Sequence, residues 1–187
     1  MALMMSIYEL IETRRTVHRY EPTPVAPELL DKIVRTGHFA PNHKLTWPWR
    51  FTLVGPETRQ KVAALAVSIK SGGDEISDEK RAAIEAKILN PGGMLVITQL
   101  RCDDSFRSKE DYASIACAVQ NIQLAAHAEG LGTKWSTGAI TRATETYEIL
   151  GIDAEQEEIQ GFIWIGTAAV TPSIKRPPFE TVLRKLS

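Results

Sequence analysis

The chain has 187 residues, of which 43% are hydrophobic, and its net charge is −1, from 22 basic and 23 acidic residues. These values are typical of one globular domain, and they exclude the strong basic excess of a general nucleic-acid binder. No run approaches the ~20 apolar residues that a membrane span requires, and the two cysteines, Cys102 and Cys117, form no CxxC pair.

The same observations predict a location and a domain count. The N-terminal segment, MALMMSIYELIETRR, has no cationic region ahead of its apolar residues, so we do not expect a secretory signal. Two unpatterned cysteines are typical of a reducing compartment. We therefore expect a cytoplasmic protein with a single domain over residues 1–187, and neither a nucleic acid nor a membrane as partner.

The first half of the chain predicts four helices and one strand. Ser6 and Glu9 form a capping-box pattern that starts a helix ending near Arg14. Prolines open the next two helices. The glycine and proline residues within 72–93 make that stretch a candidate mobile excursion around a polar helix. The predicted elements are helices from about 6 to 14, from 27, from 56 to about 69 and from about 78 to 89, and a strand at 51–54.

The second half predicts three further strands and the longest helix. Ser108 with Asp111 predicts the start of that helix, which runs to Glu129 and is apolar on nearly all sides, so we expect it to be central and mostly buried. Asp103 and Asp104 are interpreted as polar residues of a solvent-exposed loop. The other predicted elements are strands at 94–100, 133–136 and 159–167, a helix at 142–150 and an extended, proline-containing tail. Strands that alternate with helices are typical of a parallel α/β sheet, although periodicity does not establish strand direction.

Several kinds of catalytic motif are absent from the sequence. There is no G-x-S-x-G, no phosphate-binding P-loop and no H-E-x-x-H. The four histidines form no ligand pattern with cysteines or carboxylates, so we expect no metal site. Demanding chemistry would then have to come from a bound cofactor.

Four separated segments combine cations, aromatic side chains and glycines. Two lie in the N-terminal third: IETRRT at 11–16, with Arg19, and APNHK at 40–44 followed by WPWRF at 47–51. The third is the long helix followed by GLGTKWSTG at 130–138. The fourth is GFIWIGT at 161–167 followed by KRPPF at 175–179.

In their order and spacing, these segments resemble the nitroreductase family of flavoproteins, close to its short, single-domain bacterial branch. The resemblance implies an α+β fold: an α/β/α sandwich with a mixed, largely antiparallel sheet, assembled as an intertwined homodimer. It also implies FMN at the subunit interface and a ping-pong reaction. Hydride passes from NAD(P)H through the flavin to a small, electron-poor acceptor such as a nitroaromatic or a quinone. No side chain is then required as a nucleophile, and we name no catalytic residue.

The resemblance also assigns roles to individual residues. Four residues match the family positions that hold the flavin phosphate and ribityl chain: Arg14, Arg15, Thr16 and Arg176. Lys175 is the second choice for the last of these positions. Those matching positions that border the ring or the tail are Phe39, His43, Trp135, Ser136 and Thr137. The chain departs from the family pattern at four places: Phe39 and Ser136 replace arginines, Leu45 replaces an asparagine and Trp47 replaces a glutamine.

Each segment also has a simpler interpretation. The arginines of 14–15 can cap a helix, Gly130 can end one, and Trp49 and Phe51 are expected in the core. Two alternatives to the flavoenzyme therefore stay open. One is a flavin-binding member of the same fold with a specialised or non-redox role, and the other is a cofactor-free binding domain.

Overall fold

Over residues 5–186, the sheet at the centre of the fold has four strands, all antiparallel. The computed structural model describes residues 5–186; the first four residues of the segment considered above as a signal lie outside this range. The strand order is β1-β2-β4-β3. The strands are β1 (Trp49–Leu53), β2 (Gly93–Leu100), β3 (Gly132–Ser136) and β4 (Glu157–Gly166).

Strand direction corrects the first expectation from the sequence. Alternating strands and helices favoured a parallel sheet, but β2 pairs antiparallel with both β1 and β4, and β3 pairs antiparallel with β4. The parallel pairing found among the described residues is an isolated bridge between Thr16 and Thr133. Hydrophobic periodicity reports which face of a strand is buried and not the direction of the strand, whereas the α+β fold expected from the resemblance is confirmed.

The described helices begin and end near the predicted positions. Ser6 and Glu9 form the reciprocal capping box of the first helix, and Pro27 and Pro56 occupy first turns. The helices are α1 (Ile7–Thr13), α2 (Pro27–Arg35), α3 (Pro56–Ser71), α4 (Asp78–Leu89), α5 (Ser105–Ala128) and α6 (Thr144–Leu150). Short 3₁₀ turns lie at Thr36–Phe39, His43–Leu45, Ala139–Thr141 and Phe179–Thr181.

The start of α5 was predicted three residues too late. Asp104 is its N-cap, and its carboxylate accepts hydrogen bonds from the backbone N–H groups of Phe106 and Arg107 at 2.9 and 3.1 Å. The interpretation of Asp104 as a polar residue of a solvent-exposed loop was therefore wrong. Ser108 and Asp111 imitate a capping pattern inside the helix, but their side chains bond to other elements, Gln99 and Thr46 respectively.

Two hydrophobic clusters pack on opposite faces of the sheet. Alternate residues of β2 and β4 point to opposite faces, so Val96 and Phe162 pack with α3 and α4, and Leu95 and Ile163 pack with α2 and α5. Trp49 lies in the second cluster and Phe51 packs against it, as expected from the sequence. The α4 segment within 72–93 is docked on α3 through the buried Ile84 and Ile88.

One side of α5 is exposed in the single chain. Ile115, Val119 and Ile122 are buried, whereas Tyr112 and Cys117 are exposed. Within residues 5–186, no helix is long and apolar enough to cross a membrane.

Candidate functional site

The first group of predicted residues lies where α1 ends against β3. Arg14 is the C-cap of α1, and Arg15 folds back to donate to the carbonyl oxygens of Glu12 and Arg14 at 2.5 and 2.9 Å. Thr16 forms the isolated bridge with Thr133, and the adjacent Val17 N–H donates to the Thr133 carbonyl at 2.9 Å. The end of α1 is therefore anchored on the edge strand of the sheet.

The guanidinium of Arg14 has donors without acceptors. Its Nε and Nη1 atoms are buried and have no hydrogen-bond partner in the structure. Burial lowers the pKa of Arg14, and the positive charges of Arg176 and Arg15 lower it further. None of the ion pairs formed between residues 5 and 186 involves these three arginines. The three arginines therefore make this a site of positive potential with no paired carboxylate among the described residues.

Arg176 reaches this cluster along an antiparallel connection. Tyr20 pairs with Ala168, and the N–H of Ala169 donates to the carbonyl of Arg19 at 3.0 Å. Farther along the chain, Arg176 lies close enough to Arg14 for its positive charge to lower the pKa of Arg14. Lys175, the second choice from the sequence, is exposed beside it.

His127 belongs to the same cluster, although the sequence interpretation left it out. Its Nε2 lies 2.9 Å from the Thr13 hydroxyl oxygen. Burial lowers the pKa of His127, as do the charges of Arg14 and Arg15. The sequence shows only that this histidine lies in the last turn of the predicted helix. A basic residue there interacts favourably with the negative end of the helix dipole, so the position alone does not indicate a binding site.

The residues predicted on β3 lie farther along the strand from the arginines. Trp135 is half-buried, donates from Nε1 to the Gln160 carbonyl at 3.1 Å, and lies near Tyr112 with ring centroids 6.4 Å apart. Ser136 is half-buried at the strand end, and Thr137 is exposed after it. Gly161 makes room for the indole, because a Cβ at that position would lie 2.9 Å from the Ser136 carbonyl oxygen and closer still to the ring.

His43 lies near the other end of α5, and the turn that ends at Phe39 packs beside Asn121, between the two ends. His43 Nε2 is 3.9 Å from Glu110 near the start of the helix, whereas Thr13 meets His127 near its end. Glu110 and His127 are 17 positions apart, which corresponds to about 25 Å of helix at a rise of 1.5 Å per residue. A single chain therefore does not bring His43 together with Arg14.

Phe39 and His43 belong to an exposed aromatic block formed by residues 38–49. Phe39 is 72% exposed. The Trp47 ring stacks on the His38 ring, with the two ring centroids 5.4 Å apart. The buried Trp49 donates from Nε1 to His38 Nδ1 at 3.3 Å. Lys44, Leu45 and Trp47 all have positive φ angles, which L-residues seldom adopt.

Comparison with known proteins identifies the family. The model of the nitroreductase family matches residues 11–167. The chain belongs to the nitroreductase family. It is 32% identical over 173 residues to YdjA of Escherichia coli (strain K12), which is provisionally named an NAD(P)H nitroreductase. The aligned region covers 90% of this chain and 92% of YdjA.

Solved structures show the same fold for this nitroreductase. The nitroreductase-like family protein from Bacillus cereus has a TM-score of 0.83 and 26% identity, covering 100% of this chain and 98% of that one. A nitroreductase from Desulfovibrio desulfuricans, solved in complex with FMN, has a TM-score of 0.76 and 23% identity over 98% of both chains, which shows the fold alone.

Family membership confirms the resemblance seen in the sequence, while the individual residue roles stay predictions. The departures from the family pattern are visible in the geometry. Where the family has an arginine, Ser136 contributes no cation to the β3 end. Phe39 and Leu45 present exposed apolar side chains on the aromatic block. Within residues 5–186, no group of three or more His, Cys, Asp or Glu side chains is placed to hold a metal ion.

Proposed function

We propose that this nitroreductase is an FMN-dependent, homodimeric oxidoreductase that transfers hydride from NAD(P)H to a small, electron-poor acceptor such as a nitroaromatic or a quinone. The observation that carries the proposal is the partly buried guanidinium of Arg14. Its Nε and Nη1 atoms have no hydrogen-bond partner among residues 5–186, and the positive charges of Arg15 and Arg176 lie close to it. Buried donors without acceptors are costly, and an anion placed here would supply the acceptors.

The flavin phosphate fits this site chemically. A guanidinium is planar, always charged and suited to two parallel hydrogen bonds with a phosphate. The C-terminal end of α1 carries a partial negative charge that repels an anion, so the arginine side chains supply the attraction. Thr16 adds a half-buried hydroxyl beside them. These residues would hold the phosphate and the ribityl chain.

When bound, FMN would supply the two-electron redox chemistry that connects NAD(P)H with the acceptor. The chain supplies binding and orientation. Trp135 is fixed by its bond to the Gln160 carbonyl and would border the flavin together with Ser136 and Thr137. Phe39 and His43 would cover it from the partner subunit and exclude water.

The separation of the predicted residues supports the homodimer. Arg14 and His43 lie at opposite ends of α5, so a two-fold axis across the middle of the helix would bring the His43 end of one chain to the Arg14 end of the other. The exposed side of α5 offers Tyr112 and Cys117 for such a contact. The α1 side chains of Ile7 and Ile11 are also exposed, at 55% and 48%.

An absorption spectrum of the purified protein tests the cofactor. We expect a yellow protein with one FMN per chain, steady NADH or NADPH oxidation with a quinone acceptor, and parallel double-reciprocal plots. Arg14→Ala should release FMN, whereas the control Arg81→Ala, an exposed arginine on α4, should retain it. Tight, stoichiometric FMN in the Arg14 variant would refute the phosphate assignment.

A flavin-binding protein with a specialised or non-redox role is the second candidate. It is favoured by the substitutions at Leu45, Trp47 and Ser136, which change polar groups at positions that match the flavin site. FMN bound without NAD(P)H turnover on any quinone or nitroaromatic would support this candidate. A colourless protein that takes up no FMN would instead support a cofactor-free binding domain.

A further inference from the structure

We propose that Asp111 is a positioning residue: from α5 it acts through Thr46 and Asn42 to hold the 42–47 loop in the conformation that presents His43. The role of the loop in flavin binding rests on the proposed function. The hydrogen-bonded relay itself rests on the geometry of this chain. We call Asp111, Thr46 and Asn42 the loop clamp.

The loop requires a clamp because its backbone is strained. Lys44 and Leu45 have φ angles of 54°, and Trp47 has a φ angle of 47°. A non-glycine residue in this region is energetically unfavourable and persists only where surrounding contacts determine its conformation. Three such residues within four positions would relax to extended backbone without compensating bonds.

The clamp has a defined direction. The Asp111 carboxylate accepts a hydrogen bond from the Thr46 hydroxyl at 2.5 Å, which uses the only hydroxyl proton of Thr46. The Thr46 oxygen is then left to accept from Asn42 Nδ2 at 2.9 Å. That orientation turns Asn42 Oδ1 toward the backbone N–H of Trp47, which donates to it at 2.7 Å.

A carboxylate suits the first position because it only accepts hydrogen bonds when it is ionised. Asp111 is 3% exposed, and Arg107 Nε lies 3.6 Å from its second oxygen. A buried carboxylate costs free energy unless it is paired and hydrogen-bonded. The positive charge of Arg107 and the proton of Thr46 meet that requirement and keep the direction of the relay fixed.

The clamp sets the position of the side chains that the loop carries. His43 lies between Asn42 and the strained Lys44, and its Nε2 is directed toward Glu110 at 3.9 Å. The backbone bond to Trp47 places its ring on His38 at 5.4 Å. Movement of Thr46 away from Asp111 would therefore displace His43 and the aromatic block together.

Limited trypsin digestion of the protein without FMN tests the clamp directly, because Lys44 is an exposed cleavage site inside the loop. Thr46→Val keeps the shape of the side chain and removes both hydrogen bonds. We expect cleavage after Lys44 about 10-fold faster, which corresponds to about 1.4 kcal/mol of easier loop opening. Thr46→Ser keeps the hydroxyl and should restore the wild-type rate.

Thr146→Val is the matched control. Thr146 is fully buried in α6, and its hydroxyl donates to the Ile140 carbonyl. Loss of this hydrogen bond should lower the global stability of the fold without changing any contact of the 42–47 loop. Cleavage after Lys44 should stay at the wild-type rate in this variant. Equal cleavage of wild type and Thr46→Val, or faster cleavage in both valine variants, would overturn the clamp.

Titration with FMN tests the positioning role. Thr46→Val should bind FMN about 10-fold more weakly than wild type, with affinity rescued by Thr46→Ser. Unchanged FMN affinity in a variant whose loop is cleaved faster would overturn the positioning role and leave the proposed function intact. A wild-type protein that binds no FMN would overturn the proposed function, and with it the role of the loop.

Discussion

The position of the Arg14 guanidinium lowers the stability of the folded chain when no anion is bound. Its pKa is lowered by burial and by the charges of Arg176 and Arg15, so the charged form is less favourable in the folded chain than in the unfolded one. We expect Arg14→Ala to unfold at the same or a higher temperature than wild type when both lack FMN. The same variant should bind FMN about 10- to 150-fold more weakly, since a hydrogen bond to a charged group contributes about 1.5–3 kcal/mol. A variant with a lower melting temperature and unchanged FMN affinity would show that Arg14 is a structural residue.

The pKa of His127 gives the cluster a dependence on pH. Burial, then Arg14 and Arg15, lower this pKa from its ordinary value of 6.5. As the pH falls below about 6.5, the unfolded chain takes up a proton that the folded chain binds less readily, so the stability of the folded chain decreases. His127→Gln should remove this part of the pH dependence. Denaturant unfolding without FMN, from about pH 8 to about pH 5, measures the difference between the two proteins.

A phosphate bound beside the arginines would reverse the effect on His127. An anion offsets the positive charges that disfavour the imidazolium, so FMN binding should take up protons and become tighter as the pH falls through this range. In His127→Gln this change in affinity should be smaller. An identical pH profile of affinity in both proteins would contradict the placement of the phosphate near Arg14 and Arg15.

The packing of β4 against β3 determines where Trp135 lies. Gly161 has a φ angle of 149°, and an added Cβ would press on the Trp135 ring and the Ser136 carbonyl. We expect Gly161→Ala to lose about 1–3 kcal/mol of stability, to shift the tryptophan fluorescence and to weaken FMN binding. Gly55→Ala is the matched control, because nothing lies within 4 Å of its added Cβ. Similar losses in both variants would mean that close packing under Trp135 has no special role.

The elements themselves were largely predictable because local patterns control where they begin and end. The Ser6 capping box, Pro27 and Pro56 act on their immediate neighbours, and each lies where the pattern placed it. The start of α5 was misplaced because Ser108 and Asp111 share the spacing of a capping pair, while their actual partners, Gln99 and Thr46, are distant in the sequence.

The candidate site was predictable only where the resemblance covered it. The motifs indicated Arg14, Trp135 and Arg176, but no local pattern links His127 to Thr13 or Asp111 to Thr46. These contacts form when α5 packs against α1 and against the 42–47 loop. Long-range hydrogen bonds of this kind depend on the assembled fold and leave no periodic signal in the chain.

For the whole molecule, the length of α5 connects the two halves of the proposed site with the oligomeric state. The Arg14 cluster lies at one end of the helix and His43 near the other, about 25 Å apart. One FMN that touches both groups therefore requires two chains in antiparallel contact along α5. Flavin binding and dimerisation should be lost together.

Cys117 lies at the middle of α5 on its exposed side, where a two-fold axis relating the two ends would pass. Cys117→Arg places a charge at that point, and a buried charge without a partner opposes association. We expect a monomer by light scattering and loss of FMN from the purified variant. Ala82→Arg makes the same change of charge on the exposed face of α4 and should leave both the dimer and the flavin unchanged. A wild-type monomer that holds one FMN with full affinity would contradict a site shared between subunits, because Arg14 and His43 would then act on different ligands or on none.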